Sequence, residues 1–127
     1  MSPELDALLR ERYPLIFVGT PENGSLTPFG QHGFQCGDGW FDLIDGLCEN
    51  LQNATKQGGR QVVASQVKEK YGALRFYTNG YNDIQGGMID LAETLSERLC
   101  EVCGNRGKKT SNGGIRTRCL EHENART

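Results

Sequence analysis

No apolar run in the 127-residue chain approaches the ~20 residues that span a bilayer, so no membrane-crossing helix and no membrane partner are expected. Charge imbalance is also missing. With 14 basic against 16 acidic residues the formal net charge is −2, far from the basic footprint of a bulk nucleic-acid binder. The opening Ser-Pro-Glu-Leu-Asp has neither the basic nor the apolar stretch of a secretory leader, which predicts a reducing, cytoplasmic setting. There is no nucleophile elbow, P-loop or dinucleotide fingerprint, and no internal repeat or low-complexity tract. Histidine occurs only twice, so imidazole bases are few.

Cysteine is present in a telling pattern. Cys100 and Cys103 form C-x-x-C, and fifteen residues later Cys119 and His122 form C-x-x-H. Four such donors are the ligand set of a closed tetrahedral zinc site, and a structural Zn2+ is therefore expected. The knuckle Cys-Glu-Val-Cys-Gly aims two sulfurs at one point, with Gly104 supplying the backbone freedom. The second pair is spaced for the first turn of a helix, whose N–H groups favour a thiolate. Disulfide pairing, or small buried apolar thiols, is the competing reading. An odd total of five cysteines fits a fully paired framework poorly, and Cys48 falls on the apolar face of an expected helix.

The 17 glycines cluster and divide the chain into segments. Ser2 and Pro3 open a short amphipathic helix that ends near Tyr13-Pro14. Residues 15 to 39 read as a long glycine-rich loop with a short strand at Ile16 to Val18, ordered by Phe29, His32, Phe34 and Cys36. Asp38 is placed to cap a helix in which Trp40, Phe41, Ile44, Leu47, Cys48 and Leu51 recur at helical spacing to about Ala54. Gln61 to Glu69 and Ala73 to Thr78 read as a β-hairpin. A second long helix starts near Asp83, with the stripe Ile84, Met88, Leu91, Ala92, Leu95 and Leu99 running up to the first zinc cysteine. A knuckle, a glycine-tipped hairpin and a short helix then complete a treble-clef-like or zinc-ribbon module.

The expected fold is accordingly α+β: a hairpin or small antiparallel sheet packed by two long helices over residues 1–99, followed by a zinc module at 100–127. The N-terminal helix and loop occupy 1–39.

Two basic groups carry the binding expectations. On the hairpin, alternation can place Lys68, Arg75 and Tyr77 on one face, depending on register, with Lys70 and Tyr71 at the turn, and Trp40, expected first as a core residue, can instead line a pocket mouth; cations beside aromatics suit a phosphate and a base. Around the zinc, Arg106, Lys108, Lys109, Arg116 and Arg118 stand without an acidic neighbour from Gly104 to Arg118, an alternative nucleic-acid surface. A plain solvated sheet face and a solvated loop explain the same residues. Asp42, Asp45 and His32 are the nearest things to catalytic groups, yet dipole compensation and solvation account for the carboxylates, and His32 has no evident partner in sequence. No catalytic residue is assigned.

The order Gly37-Asp-Gly-Trp-Phe-Asp-Leu-Ile-Asp, Gln66-Val-Lys-Glu-Lys-Tyr-Gly-Ala-Leu-Arg-Phe-Tyr, Cys100-Glu-Val-Cys-Gly and Cys119-x-x-His122 resembles a group of small phage and prophage proteins of unknown function. The resemblance covers about residues 34 to 122. It implies a viral setting inside an infected bacterium and a zinc-bearing C-terminus, and carries no catalytic residues with it. In that setting the expected function is non-catalytic binding of a phosphate-bearing nucleotide, in one form sequestering a host immune signal. The alternatives are a zinc-dependent DNA- or RNA-binding regulator and an adaptor or inhibitor of a host protein, with a homo-oligomer also open.

Overall fold

The computed structural model describes residues 1–19, 26–111 and 113–124. Helix α1 (Pro3–Arg12) begins as the sequence predicts, with the Ser2 hydroxyl accepting from the Leu5 N–H at 3.3 Å and Pro3 at the first position. Tyr13 closes it and donates its hydroxyl to Asp45 Oδ1 at 2.7 Å.

No strand forms at Ile16 to Val18. The segment turns instead, with Ile16 and Phe17 both buried in the core, and the Ile16 carbonyl accepts from the Ala64 N–H at 2.9 Å. The predicted loop also contains more order than its glycines imply. Thr27 caps a short helix α2 (Pro28–His32), and Gly33, at φ 65°, turns the chain into strand β1 (Phe34–Gln35). Phe17, Phe29 and Phe34 pack with ring centroids 4.8 to 5.3 Å apart, and that cluster holds the segment. Residues 20–25 of the predicted loop lie outside those described.

After a 3₁₀ turn at Asp38–Trp40, helix α3 (Phe41–Lys56) buries Ile44, Leu47, Cys48 and Leu51, the predicted stripe. Asp38 is not its cap. Its Oδ1 accepts from the Ser2 N–H at 2.6 Å, tying the start of α1 to the start of α3, and the 3₁₀ turn has no side-chain cap. Strands β2 (Ala64–Lys70) and β3 (Ala73–Thr78) form the hairpin, and β1 adds to β2 in parallel, giving a mixed sheet in the order β1-β2-β3. Tyr71 and Gly72, both at positive φ (52° and 83°), make the tight turn, which Glu69 steadies by accepting from the Gly72 N–H at 2.7 Å. Val67, Leu74 and Phe76 face the core.

Helix α4 (Asp83–Ser96) starts with a reciprocal Asn82–Gln85 capping box and runs antiparallel to α3: Gln85 reaches Thr55, while the Trp40 indole donates to the Leu99 carbonyl at 2.9 Å. Its inward face is the predicted stripe only in part: Ala92 is buried and Met88 and Leu99 pack against the core, but the rest of the stripe does not. Gln85, Gly86, Ile89, Ala92 and Ser96 are buried, whereas Ile84, Leu91 and Leu95 are 69%, 60% and 39% exposed. The reason lies in the sheet. β3 is an edge strand, and its free N–H groups at Leu74 and Phe76 are taken up by Ser96 Oγ at 2.8 Å and Glu93 Oε2 at 2.9 Å. Gln85 likewise donates to the Arg60 carbonyl at 2.6 Å. A helix that must cap an edge turns its polar seam inward and leaves its apolar seam out. It also stops at Ser96, four residues short of the cysteine to which the stripe was expected to run.

Strands β4 (Lys108–Thr110) and β5 (Arg116–Arg118) pair antiparallel, and a single 3₁₀ turn at Leu120–His122 follows, where a short helix was expected. The molecule is thus α+β, a small sheet packed by helices and ending in a Cys/His cluster.

Candidate metal centre and binding face

Cys100 and Cys103 come from the knuckle, Cys119 from the end of β5 and His122 from the 3₁₀ turn. Their donor atoms all lie within 4.8 Å of one another: Cys103 Sγ to Cys119 Sγ is 3.7 Å, Cys119 Sγ to His122 Nδ1 3.2 Å, and Cys100 Sγ to His122 Nδ1 3.9 Å. Four soft or borderline donors converging on one point can hold a metal ion, and their chemistry suits a thiolate-loving one. No pair among the described cysteines is bonded as a disulfide.

Local backbone explains the convergence. Gly104, at φ 79°, lets its N–H return to the Cys100 carbonyl at 2.8 Å, the closing bond of the knuckle. Burial pushes the Cys100 thiol up, but N–H groups of Cys119, Cys103 and Val102 aimed at its sulfur outweigh this and lower it to about 7. At Cys103 the Asn105 N–H lowers the thiol, and partial desolvation together with the neighbouring Cys119 and Cys100 sulfurs leaves it raised. These are the surroundings of a ligand set: sulfurs crowded together and bathed in backbone donors.

The knuckle is bolted to the body by the Gly37-Asp-Gly-Trp segment. Gly37 N–H donates to Glu101 Oε2 at 2.9 Å, Gly39 N–H to the Glu101 carbonyl at 2.8 Å, and Trp40 to Leu99. A Cβ on Gly39 would strike the Cys100 carbonyl and lie 2.6 Å from the Gly104 nitrogen, so this position admits only glycine. Glu101 also receives Arg118 Nη1 at 3.2 Å, an ion pair whose side chains are 10% and 1% exposed. Sequence reading missed this clasp. Its signal was the pair of glycines flanking Asp38, which look like loop residues until the knuckle is seen against them.

Of the expected ligand residues, Lys68, Arg75 and Tyr77 do share the outer face of the hairpin. Lys68 stands directly opposite Arg75, and Gln66 opposite Tyr77, with Gln35 beside Lys68 on β1. Lys70 and Tyr71 sit exposed at the turn, the ammonium 5.9 Å from the ring centroid. Arg75 lies 3.9 Å from Glu93. Trp40 does not belong with them: it is fully buried in the core and presents no surface to a ligand.

The basic residues of the module divide. Arg106 and Lys108 are exposed, Lys109 is ion-paired with Glu97, Arg116 is half-buried, and Arg118 is the internal partner of Glu101. Thr117 hydroxyl donates to the Gly72 carbonyl at 2.5 Å, so β5 and the β2–β3 turn touch. A cleft of about 680 Å³ opens nearby between Ser2, Phe34, Asp38, Glu69, Glu101 and Arg116. None of the catalytic candidates assemble: Asp38 binds Ser2, Asp45 binds Tyr13 and Arg12, and Asp42 and His32 are exposed on separate helices.

Among the described residues no helix is long and apolar enough to cross a membrane. No family model, curated protein or solved structure matches the chain.

Proposed function

We propose that this chain is a zinc-stapled binding protein that takes a phosphate-bearing nucleotide on the outer face of its hairpin, without turning it over. The observation that carries this is the Lys68–Arg75 cross-strand pair beside Tyr77. Like charges directly opposite each other on a sheet are destabilising; Glu93, 3.9 Å from Arg75, offsets part of this, an anion over the pair would offset more, and Tyr77, 42% exposed, offers a ring on which a base can stack. In the setting that the resemblance implies, the bound nucleotide is a host immune signal, and binding removes it from circulation in the infected cytoplasm.

Zinc is the metal this reading assigns to Cys100, Cys103, Cys119 and His122. With Zn–S near 2.3 Å and Zn–N near 2.0 Å, a tetrahedron has S···S edges of about 3.8 Å and S···N edges of about 3.6 Å. The 3.7 Å separation of Cys103 and Cys119 matches the first, and the two His122 separations, 3.2 and 3.9 Å, bracket the second. With all four positions filled by protein, the ion supplies crosslinking and leaves no place for a catalytic water.

The test is isothermal titration of the metal-loaded protein with a panel of mononucleotides, cyclic dinucleotides and ADP-ribose derivatives, followed by chromatography of the recovered ligand. Stoichiometric binding that falls at least tenfold in Lys68→Glu and Arg75→Glu, with the ligand recovered intact, is expected. Binding that ignores both substitutions, or a hydrolysed ligand, removes the proposal. The Thr117–Gly72 contact favours one second reading, in which a single-stranded nucleic acid runs from the turn residues Lys70 and Tyr71 onto Arg116. That reading predicts affinity falling steeply with salt, and little affinity for mononucleotides.

A further inference from the structure

Helix α4 carries two seams one residue apart. Gln85, Ile89, Ala92 and Ser96 face inward, and Ile84, Leu91 and Leu95 recur on the outside at intervals of seven and four, with Met88, half-buried and packed against the core, on the border between the two seams. That spacing is the 3.5-residue repeat by which one helix meets another. Beside the outer seam lie Gly87 and Thr94, and beyond them Asp83 and Asp90, seven residues apart and both exposed. Across the helix the order is therefore apolar, small, acidic.

Gly87 is the odd residue. Its neighbour Gly86 is explained by Tyr81, whose ring would lie 2.7 Å from an added Cβ, but a Cβ on Gly87 would meet nothing within 4 Å. Glycine inside a helix costs about 1 kcal/mol relative to alanine, so an internal reason is lacking. Small residues beside an apolar seam let a second backbone come close. Charge then selects the partner. The exposed acidic residues of helix α4 are Asp83 and Asp90, Glu93 being engaged by Phe76 and Arg75, with no basic residue within the helix bounds, and α3 beside it exposes Asp42 and Glu49 against Lys56 alone, Asp45 being paired with Arg12. A second copy packed antiparallel would set acidic row against acidic row, whereas a helix with a basic border would neutralise it.

We propose that the outer seam of α4 is a docking site for an amphipathic helix of a partner protein, one whose apolar stripe is bordered by Lys or Arg. Leu91 and Ile84 are the anchors, Gly87 the point of closest approach, and Asp83 with Asp90 the charge filter. This surface belongs to the helical layer and is separate from the sheet face assigned to the nucleotide.

The probe is a pair of dye-labelled 21-residue helical peptides with leucine at a and d, one with lysine and one with glutamate at the flanking positions, titrated into the metal-loaded protein and followed by anisotropy. The lysine peptide is expected to bind at least tenfold more tightly, with amide shifts in the protein's NMR spectrum concentrated between residues 83 and 98. Leu91→Ser, a change at a site already 60% exposed, is expected to abolish that binding without altering the fold. Gly87→Gln should weaken it at least tenfold while making the helix more stable, and Asp83→Lys with Asp90→Lys should reverse the preference between the two peptides. Equal binding of both peptides, indifference to Leu91→Ser, or self-association in sedimentation that Leu91→Ser abolishes would each overturn the proposal, the last by putting a second copy on the seam.

Discussion

Before Cys100 the chain buries Leu9, Ile16, Phe29, Trp40, Ile44, Leu51, Val67, Leu74 and their neighbours in one apolar cluster; from Cys100 onward the buried ones among the described residues are Cys100 itself, Glu101, Thr117 and Arg118. The first region is held by removal of apolar surface from water, at about 25 cal/mol per Å². The second has no apolar core of its own, and stands on ligand convergence, a buried ion pair and hydrogen bonds to the body. Small modules without a core need a staple, and the difference teaches where the binding energy of a metal held by the Cys/His cluster would go: into folding residues 100–124, not into the sheet and helices.

The comparison breaks most visibly when the staple is removed. Chelation, or Cys103→Ser, is expected to cost the module its fold, since binding energy at such sites is of the order of 10 kcal/mol. Hydrogen exchange should then show amides after Leu99 losing protection while β2, β3 and α3 keep theirs. Equal protection and equal thermal stability, with no metal in either protein, would contradict it.

A smaller effect is expected from the ion pair that joins the regions. Glu101→Gln leaves Arg118 buried beside a neutral partner, and about 3–5 kcal/mol is expected to be lost in denaturant titrations. The double change Glu101→Gln with Arg118→Met should recover part of it, because the uncompensated buried charge goes too. Trp40→Phe removes the donor to the Leu99 carbonyl and some core volume; about 1–3 kcal/mol is expected, with the metal still bound.

The smallest effect separates the thiols of the two regions by pH. Burial first, then the nearby Glu101 charge, pushes Cys36 up to about 12, and burial raises Cys48 and Tyr13 as well. An acid raised above its unfolded value adds stability that is complete below that value, near 9 for a thiol, and disappears as pH climbs toward 12. The body should therefore weaken by about 1 kcal/mol from Cys36 alone by pH 10, and Cys36→Ala should flatten the urea midpoint against pH over that range. In the chelated protein at pH 8, iodoacetamide should modify Cys100, Cys103 and Cys119 of the unfolded module and spare Cys36 and Cys48, which are buried in the body.

Legibility followed range. The start of α1, the start of α4, the stripe of α3, the β2–β3 turn and the pairing of Cys100 with Cys103 and of Cys119 with His122 in one cluster were legible, since each rests on residues a few positions apart. The α4 stripe was read wrongly in part, for a definite reason: Ile84, Leu91 and Leu95 are more apolar than Gln85 and Ser96, and periodicity rewards apolarity. What outweighed it was the need of Leu74 and Phe76 for hydrogen-bond acceptors, about twenty residues away. Trp40 sits in the core, where the helical stripe put it, and the alternative of a pocket mouth stayed open because nothing local to it announces Leu99.

By itself, then, the amino-acid sequence determined the ligand set, the caps, the hairpin and the alternation that puts Lys68, Arg75 and Tyr77 on one face, all of them consequences of backbone geometry over a single turn or strand. Only the tertiary structure decided which seam of α4 meets the sheet, that Gly37 and Gly39 seat the knuckle, and that Arg118 is buried against Glu101. Those outcomes turn on unpaired polar groups meeting across the fold, and the cost of burying such a group without a partner is larger than any local preference.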